Sequence, residues 1–255
     1  LFPSPQLKLE RIVIGKAQDV RIDAAVIAVS SPAIFDERKA IDNIDLTTVT
    51  IDQDAIPRLV AWAQMPAGDA HLQLQSIRIN AVKLALHGTE LPPFSALITI
   101  GKDGVWQKAV LRDSKASVEM LPLKEQGALR ANFTARNWQP PVGPKFDFAD
   151  LTGTVTISRQ QAVFSGLEGH LFGGALKGAA TVKWDRNVSA EGELALKGAD
   201  VGQVLAAYTR DFVASGTLEM NMKFAAQGAT PDELFAAPRV TTTFTLQKGT
   251  LNNID

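Results

Sequence analysis

Cysteine is absent from this sequence. Its absence excludes disulfide bonds, thiolate metal sites and cysteine nucleophiles. It leaves the redox compartment open, because a chain without cysteine is compatible with an oxidising periplasm as well as with a reducing cytosol.

Neither sign of charge dominates, since 26 Lys and Arg stand against 27 Asp and Glu. No long run of one sign occurs, so the sequence predicts no nucleic-acid partner. Long hydrophobic runs are also missing, and no stretch approaches the roughly 18 apolar residues of a membrane-spanning helix. The sequence begins at Leu1 without a Met and ends at Asp255 directly after a strand-like run. We therefore expect a piece of a longer protein, with any membrane anchor outside this segment.

Histidine is scarce, and the three histidines lie far apart without an acidic partner at the spacing of a catalytic or metal motif. They are His71, His87 and His170. An acidic cluster lacks the loop register and the glycine of a calcium site, so we interpret it as turn residues and a helix cap. Its members are Asp42, Asp45, Asp52 and Asp54. We expect no enzyme activity, no metal and no cofactor, although Ser165 or Ser189 beside a histidine in space stays open.

The dominant pattern is alternation of apolar and polar residues at period two, which predicts β-strands. It recurs every 10 to 20 residues with Gly, Asn or Asp between the runs. This spacing is typical of consecutive antiparallel hairpins. The predicted fold is mainly β: an antiparallel meander that forms a curved sheet or groove, or a two-layer sheet. More than two fifths of the residues should be strand, well above the usual level of about 20 to 25%.

About three short helices are expected in addition to the strands. One spans Asp54 to Met65, with Pro57 in its first turn. A second follows the capping residue Asp200 and extends to Phe212, with apolar residues at helical spacing. The third begins at Thr230, which has capping-box spacing to Glu233, and ends before Pro238.

The Pro-rich stretch at 139–149 is the best candidate for a domain boundary. It divides the chain into a β-rich segment with one helix at 1–138 and a β segment with two helices at 150–255. The same stretch fits a long connection within one continuous sheet.

The segment from Asp150 to Asp255 carries glycine-bearing strand motifs in a specific order. Gly228, Glu233 and Leu234 form one motif before a short helix. A later strand ends in the second motif, which comprises Gly249, Leu251, Ile254 and Asp255. This segment resembles the C-terminal region of the AsmA-like family, with Asn253 where that family often has Gly.

The resemblance implies a bacterial envelope protein with a β-rich periplasmic portion, attached to the inner membrane through a helix that is not present in this chain. It further implies a bridge-like lipid-transfer protein that binds or conducts phospholipid between the inner and outer membranes. The expected partners are phospholipid acyl chains and outer-membrane assembly proteins. The alternative is a structural or interaction module that regulates outer-membrane biogenesis without a ligand of its own.

A set of apolar residues at alternate positions of successive predicted strands should share one sheet face, which is either core or lipid-binding groove. The set comprises Val182, Trp184, Leu194, Leu196, Leu218, Met220, Met222, Phe224, Phe244 and Leu246. The unbranched Met side chains adapt to varied acyl shapes and therefore favour the groove.

Overall fold

The computed structural model describes residues 6–15, 18–29, 39–55, 58, 72–86, 89–123, 128–140, 146–184, 187–208, 213–229, 231–234 and 236–252. Strands account for 77% of these residues. The mainly β prediction is therefore confirmed. The chain divides into two compact units, Leu1–Gly127 and Ala128–Asp255.

The first unit is a sheet with the strand order β1-β2-β3-β4-β6-β7-β8, and β5 pairs with β4. Its strands are β1 (Gln6–Ile14), β2 (Val20–Val29), β3 (Lys39–Asp52), β4 (Leu72–Leu86), β5 (Thr89–Glu90), β6 (Phe94–Ile100), β7 (Trp106–Arg112) and β8 (Ala116–Pro122). One face of this sheet carries a buried apolar cluster, whereas Val13 and Leu97 are exposed and lie opposite Arg21 and Arg78. The buried cluster on that face comprises Val20, Ile22, Val49, Ile79, Val82 and Ala96.

The pairing of β3 with β4 is parallel, with Ile44 opposite Ile77 and Val49 opposite Val82. This corrects the expectation of a purely antiparallel meander. Parallel neighbours need a crossover connection of about a dozen residues or more, whereas a hairpin joins antiparallel strands. The connection here begins with a 3-10 helix, Gln53–Ala55. Arg58, further along it, forms an ion pair with the buried carboxylate of Asp19.

The second unit is an antiparallel meander in which each strand pairs with the next along the chain. Its strands are β9 (Leu129–Trp138), β10 (Phe148–Ile157), β11 (Gln161–Leu171), β12 (Gly174–Trp184), β13 (Val188–Asp200), β14 (Val213–Gly228) and β15 (Arg239–Asn252). Residues 139–147 connect β9 to β10, which are paired along their lengths. The two compact units divide at 127/128, and the domain boundary predicted in the Pro-rich stretch at 139–149 stays a prediction.

The helices are fewer and shorter than the three expected. The one α-helix longer than a single turn, in the part of the chain that the structure describes, is α1 (Val201–Ala206). Its predicted cap is present, since the Asp200 side chain accepts a hydrogen bond from the Gln203 N–H. The turn α2 (Pro231–Leu234) has four residues. Most of the helix predicted for Asp54–Met65 lies outside the described residues.

A bulge in β13 preserves the separation of apolar and polar residues. The pairing with β14 shifts between Leu196 and Ala199, and Gly198 has a φ of 74°. Glycine adopts this left-handed conformation without a steric penalty. Before the bulge the residues of β13 on this face have even numbers, as Leu194 and Leu196 do. After the bulge the odd-numbered Ala199 pairs with Leu218 and lies on the same face as Leu196.

Candidate functional site

The pairing register places the ten predicted lipid-binding residues on one face of the second unit. Leu194 lies opposite Met222, and Leu196 lies opposite Met220. Met220 in turn lies opposite Phe244, and Leu218 lies opposite Leu246. Val182 and Trp184 occupy the same face of β12 through their partners Ala190 and Val188. We call this surface, on strands β12 to β15, the apolar face; its role in lipid binding remains a prediction.

We consider the residues of β12 to β15 that the pairing places on the apolar face, from Gly174 to Leu246. Among those that the structure describes, none is charged, and Thr242 is the one polar residue. The opposite face of the unit is polar and is organised in pairs across strands. Lys177 Nζ lies 2.9 Å from Glu168 Oε1, and Lys223 Nζ lies 2.7 Å from Glu193 Oε1. The hydrogen bond from Lys177 lowers the pKa of the Glu168 carboxyl below its ordinary value, and its positive charge adds to this effect. The sheet therefore presents one apolar surface and one charged surface.

Exposure of the apolar face increases from the middle strands to β15. Leu196 in β13 is 2% exposed, whereas Phe244 and Leu246 in β15 are 70% and 50% exposed. Seven predicted residues have intermediate exposure, namely Val182, Trp184, Leu194, Leu218, Met220, Met222 and Phe224. The face is thus part core and part surface.

One end of the apolar face is covered by the turn α2. Leu234 is 5% exposed and forms a buried cluster with Ala190 and Ala226. Val182 and Phe224 pack against this cluster. These two predicted residues therefore contact protein side chains at that end of the face.

Large side chains of the face lie over glycines on the neighbouring strand. A Cβ atom at Gly192 would lie 2.7 Å from Phe224 Cε1, and one at Gly178 would lie 2.5 Å from Leu194 Cδ2. The missing side chains leave the space that Phe224 and Leu194 fill. This arrangement explains why large residues next to a partly open surface are only half exposed.

Trp184 is held at the end of β12 by its polar atom. Its indole Nε1–H donates a hydrogen bond of 2.9 Å to the Arg159 carbonyl. Trp side chains at the border of an apolar surface commonly satisfy their N–H in this way.

The first unit carries a second apolar surface that sequence reasoning did not assign to the site. In β1, Leu7 is 53% exposed and Leu9 is 41% exposed, and both share the face of the buried cluster through their partners Ile27 and Ala25. The signal was present in the sequence, since β1 shows the same alternation at period two as β12 to β15.

The candidates for other chemistry lie on polar surfaces or outside the described residues. His170 Nδ1 lies 2.8 Å from Asp150 Oδ2 on the exposed polar face, while His71 and His87 are outside the described residues. Within the acidic cluster, Asp45 pairs with Arg78 and Asp52 pairs with Arg21. Among the residues that the structure describes, no group of three or more potential ligands could hold a metal ion.

Of the two serines that the sequence left open as reactive groups, Ser165 has a hydrogen-bond partner in the sheet. The Ser165 hydroxyl donates to the Thr154 carbonyl across the β10–β11 pair, at 3.5 Å.

Gly173 and Gly174 lie at the β11–β12 hairpin, where Phe172 and Gly173 have φ values of 52° and 73°. Two successive positive φ values are typical of a tight hairpin turn.

No helix within the described ranges is long and apolar enough to cross a membrane. Comparisons of this chain with protein-family models, with curated proteins and with solved structures give no match.

Proposed function

We propose that this chain binds phospholipid acyl chains on the apolar face, as a periplasmic segment of an AsmA-like protein that conducts phospholipid between the inner and outer membranes. The observation that carries the proposal is the two-sided sheet, whose charged surface carries ion pairs between neighbouring strands while its apolar surface is only partly covered. Large exposed apolar surfaces on proteins mark binding sites.

The chemistry of the apolar face suits an acyl chain. Met220, Met222 and Phe244 offer only carbon and sulfur atoms, so a ligand that contacts them gains from removing apolar area from water. A polar ligand would lose its hydrogen bonds with water on this surface and find no replacement. A phospholipid would gain from apolar contact by placing its tails on the apolar face. It would keep the hydrogen bonds of its polar headgroup by leaving the headgroup in solvent.

The family assignment in the proposal rests on the order of the strand motifs. Glu233 accepts a hydrogen bond of 3.0 Å from the Ala229 N–H, next to Gly228, which agrees with a structural role for the first motif. In the second motif, Gly249 lies in β15, and Ile254 and Asp255 are outside the described residues. The same proposal has two further parts. The protein supports outer-membrane assembly, and it is attached to the inner membrane through a helix that is absent from this chain.

The partial closure of the apolar face favours a second candidate function. Leu196 is almost inaccessible, and Leu234 covers the end near Ala190. A face closed in this way also suits an interaction module that regulates outer-membrane biogenesis without a ligand. The two candidates differ in whether lipid binds to the purified chain.

The test combines lipid extraction with variants on opposite faces of β14. Organic extracts of the purified chain are analysed by mass spectrometry, and binding of a fluorescent phospholipid is measured for a Met220→Glu/Met222→Glu variant. The matched control is Asn221→Glu/Gln227→Glu, which adds the same two charges at exposed residues of the same strand on the polar face.

We expect phospholipid in the extract, loss of binding in the methionine variant and unchanged binding in the control. A folded methionine variant that binds as well as the parent would show that the apolar face is not the site. A parent with neither extracted nor added lipid would favour the interaction module. Circular dichroism and a thermal melt establish folding of each variant, because glutamate buried in a closed core would unfold the unit.

A further inference from the structure

The polar face of the second unit has a depression near the hairpin that joins β12 to β13. Its volume is about 380 Å³. The residues that line it include Lys183 on β12, Ser189 and Glu191 on β13, Ala225 on β14 and Arg239 on β15. Sites for small molecules usually have volumes of about 300 to 1,000 Å³. The depression is therefore large enough for a small organic ligand.

The depression exists because a small residue lies between two long charged ones. Ala225 is paired with Glu191 on one side and with Arg239 on the other. Neighbouring strands lie about 4.8 Å apart, so the backbones of Glu191 and Arg239 are about 10 Å apart, and the methyl group of Ala225 fills little of the space between them. Ala225 belongs to an inner strand that is paired on both sides, so this space is a feature of the sheet face and not of its edge.

The charges around the depression do not cancel. Lys183 Nζ lies 3.1 Å from Glu191 Oε1, which makes these two residues an ion pair between neighbouring strands. Arg239 forms no ion pair with a residue in the described part of the chain. The lining therefore carries one positive charge in excess, on a guanidinium group whose N–H donors are directed by a rigid planar geometry.

The donors of the depression suit a phosphate group. The Arg239 guanidinium can bind two phosphate oxygens at once, and the Ser189 hydroxyl and the Lys183 ammonium are further donors. These three groups belong to three different strands. Donors that approach from different directions match the tetrahedral oxygens of a phosphate better than the two coplanar oxygens of a carboxylate. Glu191 accepts hydrogen bonds only, so it suits a hydroxyl or ammonium group next to the phosphate.

We propose that this depression binds a phosphate ester. Arg239 and Ser189 hold the phosphate, with the positive charge of Lys183 beside it, and Glu191 accepts a hydrogen bond from a hydroxyl or ammonium group of the organic part. A water-soluble ester and a lipid headgroup share this chemistry. The depression lies on the face opposite to the apolar face, so the inference holds with or without acyl-chain binding there.

Calorimetric titration with O-phosphoethanolamine tests the proposal, because this compound carries one phosphate and one ammonium group. Arg239→Gln removes the charge and should weaken binding at least about tenfold, since a charge-assisted hydrogen bond to phosphate is lost. Ala225→Leu fills the space between Glu191 and Arg239 without changing the charge and should weaken binding by a similar factor. The control is Lys197→Gln, which removes an exposed positive charge from the same face outside the depression.

We expect binding by the parent and by Lys197→Gln, and much weaker binding by the other two variants, all of them folded by circular dichroism. A parent that does not bind at millimolar ligand, or equal affinities in the parent, Arg239→Gln and Ala225→Leu, would overturn the proposal. Acetate that binds as tightly as O-phosphoethanolamine would also overturn it, because a planar anion would then suffice.

Co-sedimentation with phosphatidylethanolamine vesicles distinguishes the two sources of the phosphate. Sedimentation that is lost in Arg239→Gln and retained in Lys197→Gln assigns the site to a lipid headgroup. Binding of O-phosphoethanolamine without sedimentation assigns it to a water-soluble ester. Failure of the acyl-chain proposal leaves both results unchanged, because the Arg239 and Ala225 side chains lie on the polar face.

Discussion

Gly192 on β13 lies directly opposite Phe224 on β14, and the Phe224 ring occupies the space that a side chain at Gly192 would need. A Cβ atom there would also lie 2.6 Å from the Ala179 carbonyl oxygen. The backbone on one side and an aromatic ring on the other leave no room for a methyl group.

We therefore expect Gly192→Ala to lower the free energy of unfolding by about 1 to 3 kcal/mol, the usual cost of overpacking. Urea denaturation measures this change. Glu193→Ala is the control, because Glu193 is exposed on the polar face and such substitutions usually change stability by less than about 0.5 kcal/mol. Equal stability of the Gly192→Ala variant and the parent would show that Phe224 moves away freely.

The ten residues of the predicted lipid-binding set should differ sharply in their contributions to stability. Leu196→Ala removes a side chain that is 2% exposed, and we expect a loss of about 2 to 5 kcal/mol from lost burial and the cavity. Phe244→Ala removes one that is 70% exposed and should change the stability of the monomeric chain by less than about 0.5 kcal/mol. Urea denaturation at low protein concentration compares them, and similar losses would contradict the exposure gradient along the face.

The cap of α1 gives a third prediction. The Asp200 carboxylate accepts a hydrogen bond of 2.8 Å from the Gln203 N–H. The N–H groups in the first turn of a helix have no carbonyl acceptor within the helix, so this side chain supplies the missing acceptor. Asp200→Ala should cost about 0.5 to 2 kcal/mol in the free energy of unfolding, whereas Asp200→Asn should keep most of it. Thermal melts of both variants decide the matter, and an asparagine variant as unstable as the alanine variant would point to a role of the charge instead of the cap.

The Lys177–Glu168 pair gives a prediction about pH. The pKa of the Glu168 carboxyl is lowered from 4.5 by the hydrogen bond and the charge of Lys177, so its contribution to stability is present above pH 4.5 and is lost as the pH falls through the lowered pKa. The pKa of the Lys177 ammonium is raised from 10.5 by the same partner, so that contribution is present below pH 10.5 and is lost as the pH rises through the raised pKa.

An NMR titration of the Glu168 side chain measures this effect. In the parent the pKa of Glu168 should lie below 4.5, and Lys177→Met should return it toward that value. Lys183→Met, which removes a different pair on the same face, is the control. A Glu168 pKa that is the same in the parent and in Lys177→Met would rule out the pairing in solution.

The strands and the shared face of the ten residues were predictable, because side chains of a strand alternate strictly between two faces. Met220, Met222 and Phe224 could be assigned to one face of β14 without knowledge of their partners. The same alternation does not tell which part of a face is covered: Leu196 and Phe244 look equivalent in sequence, and the difference between them arises from the strands on either side.

The helix after Asp200 shows a different limit. Its start was predictable from the capping residue, but α1 ends at Ala206 and not at Phe212, and Tyr208, which lies within the predicted helix, is 70% exposed. Apolar spacing continues in the sequence past the point where the helix stops. The parallel β3–β4 pair was missed because the residues of β3 were not recognised as a strand: Asp42, Asp45 and Asp52 were interpreted as turn residues, whereas all three lie in β3. Without that strand the sequence did not show the alternation of strand, helix and strand that is typical of a crossover.

The parallel pair has a consequence for how the chain folds. Hairpins such as β11–β12 close over a few residues and form quickly, whereas β3 and β4 pair residues 33 apart in the chain, as Asp45 and Arg78 show. Closing the larger loop costs entropy before any pairing energy is gained, which makes parallel pairing intrinsically slow. In refolding experiments the rate-limiting phase of the first unit should therefore respond to the length of the 53–71 connection, and the hairpins of the second unit should form without that delay.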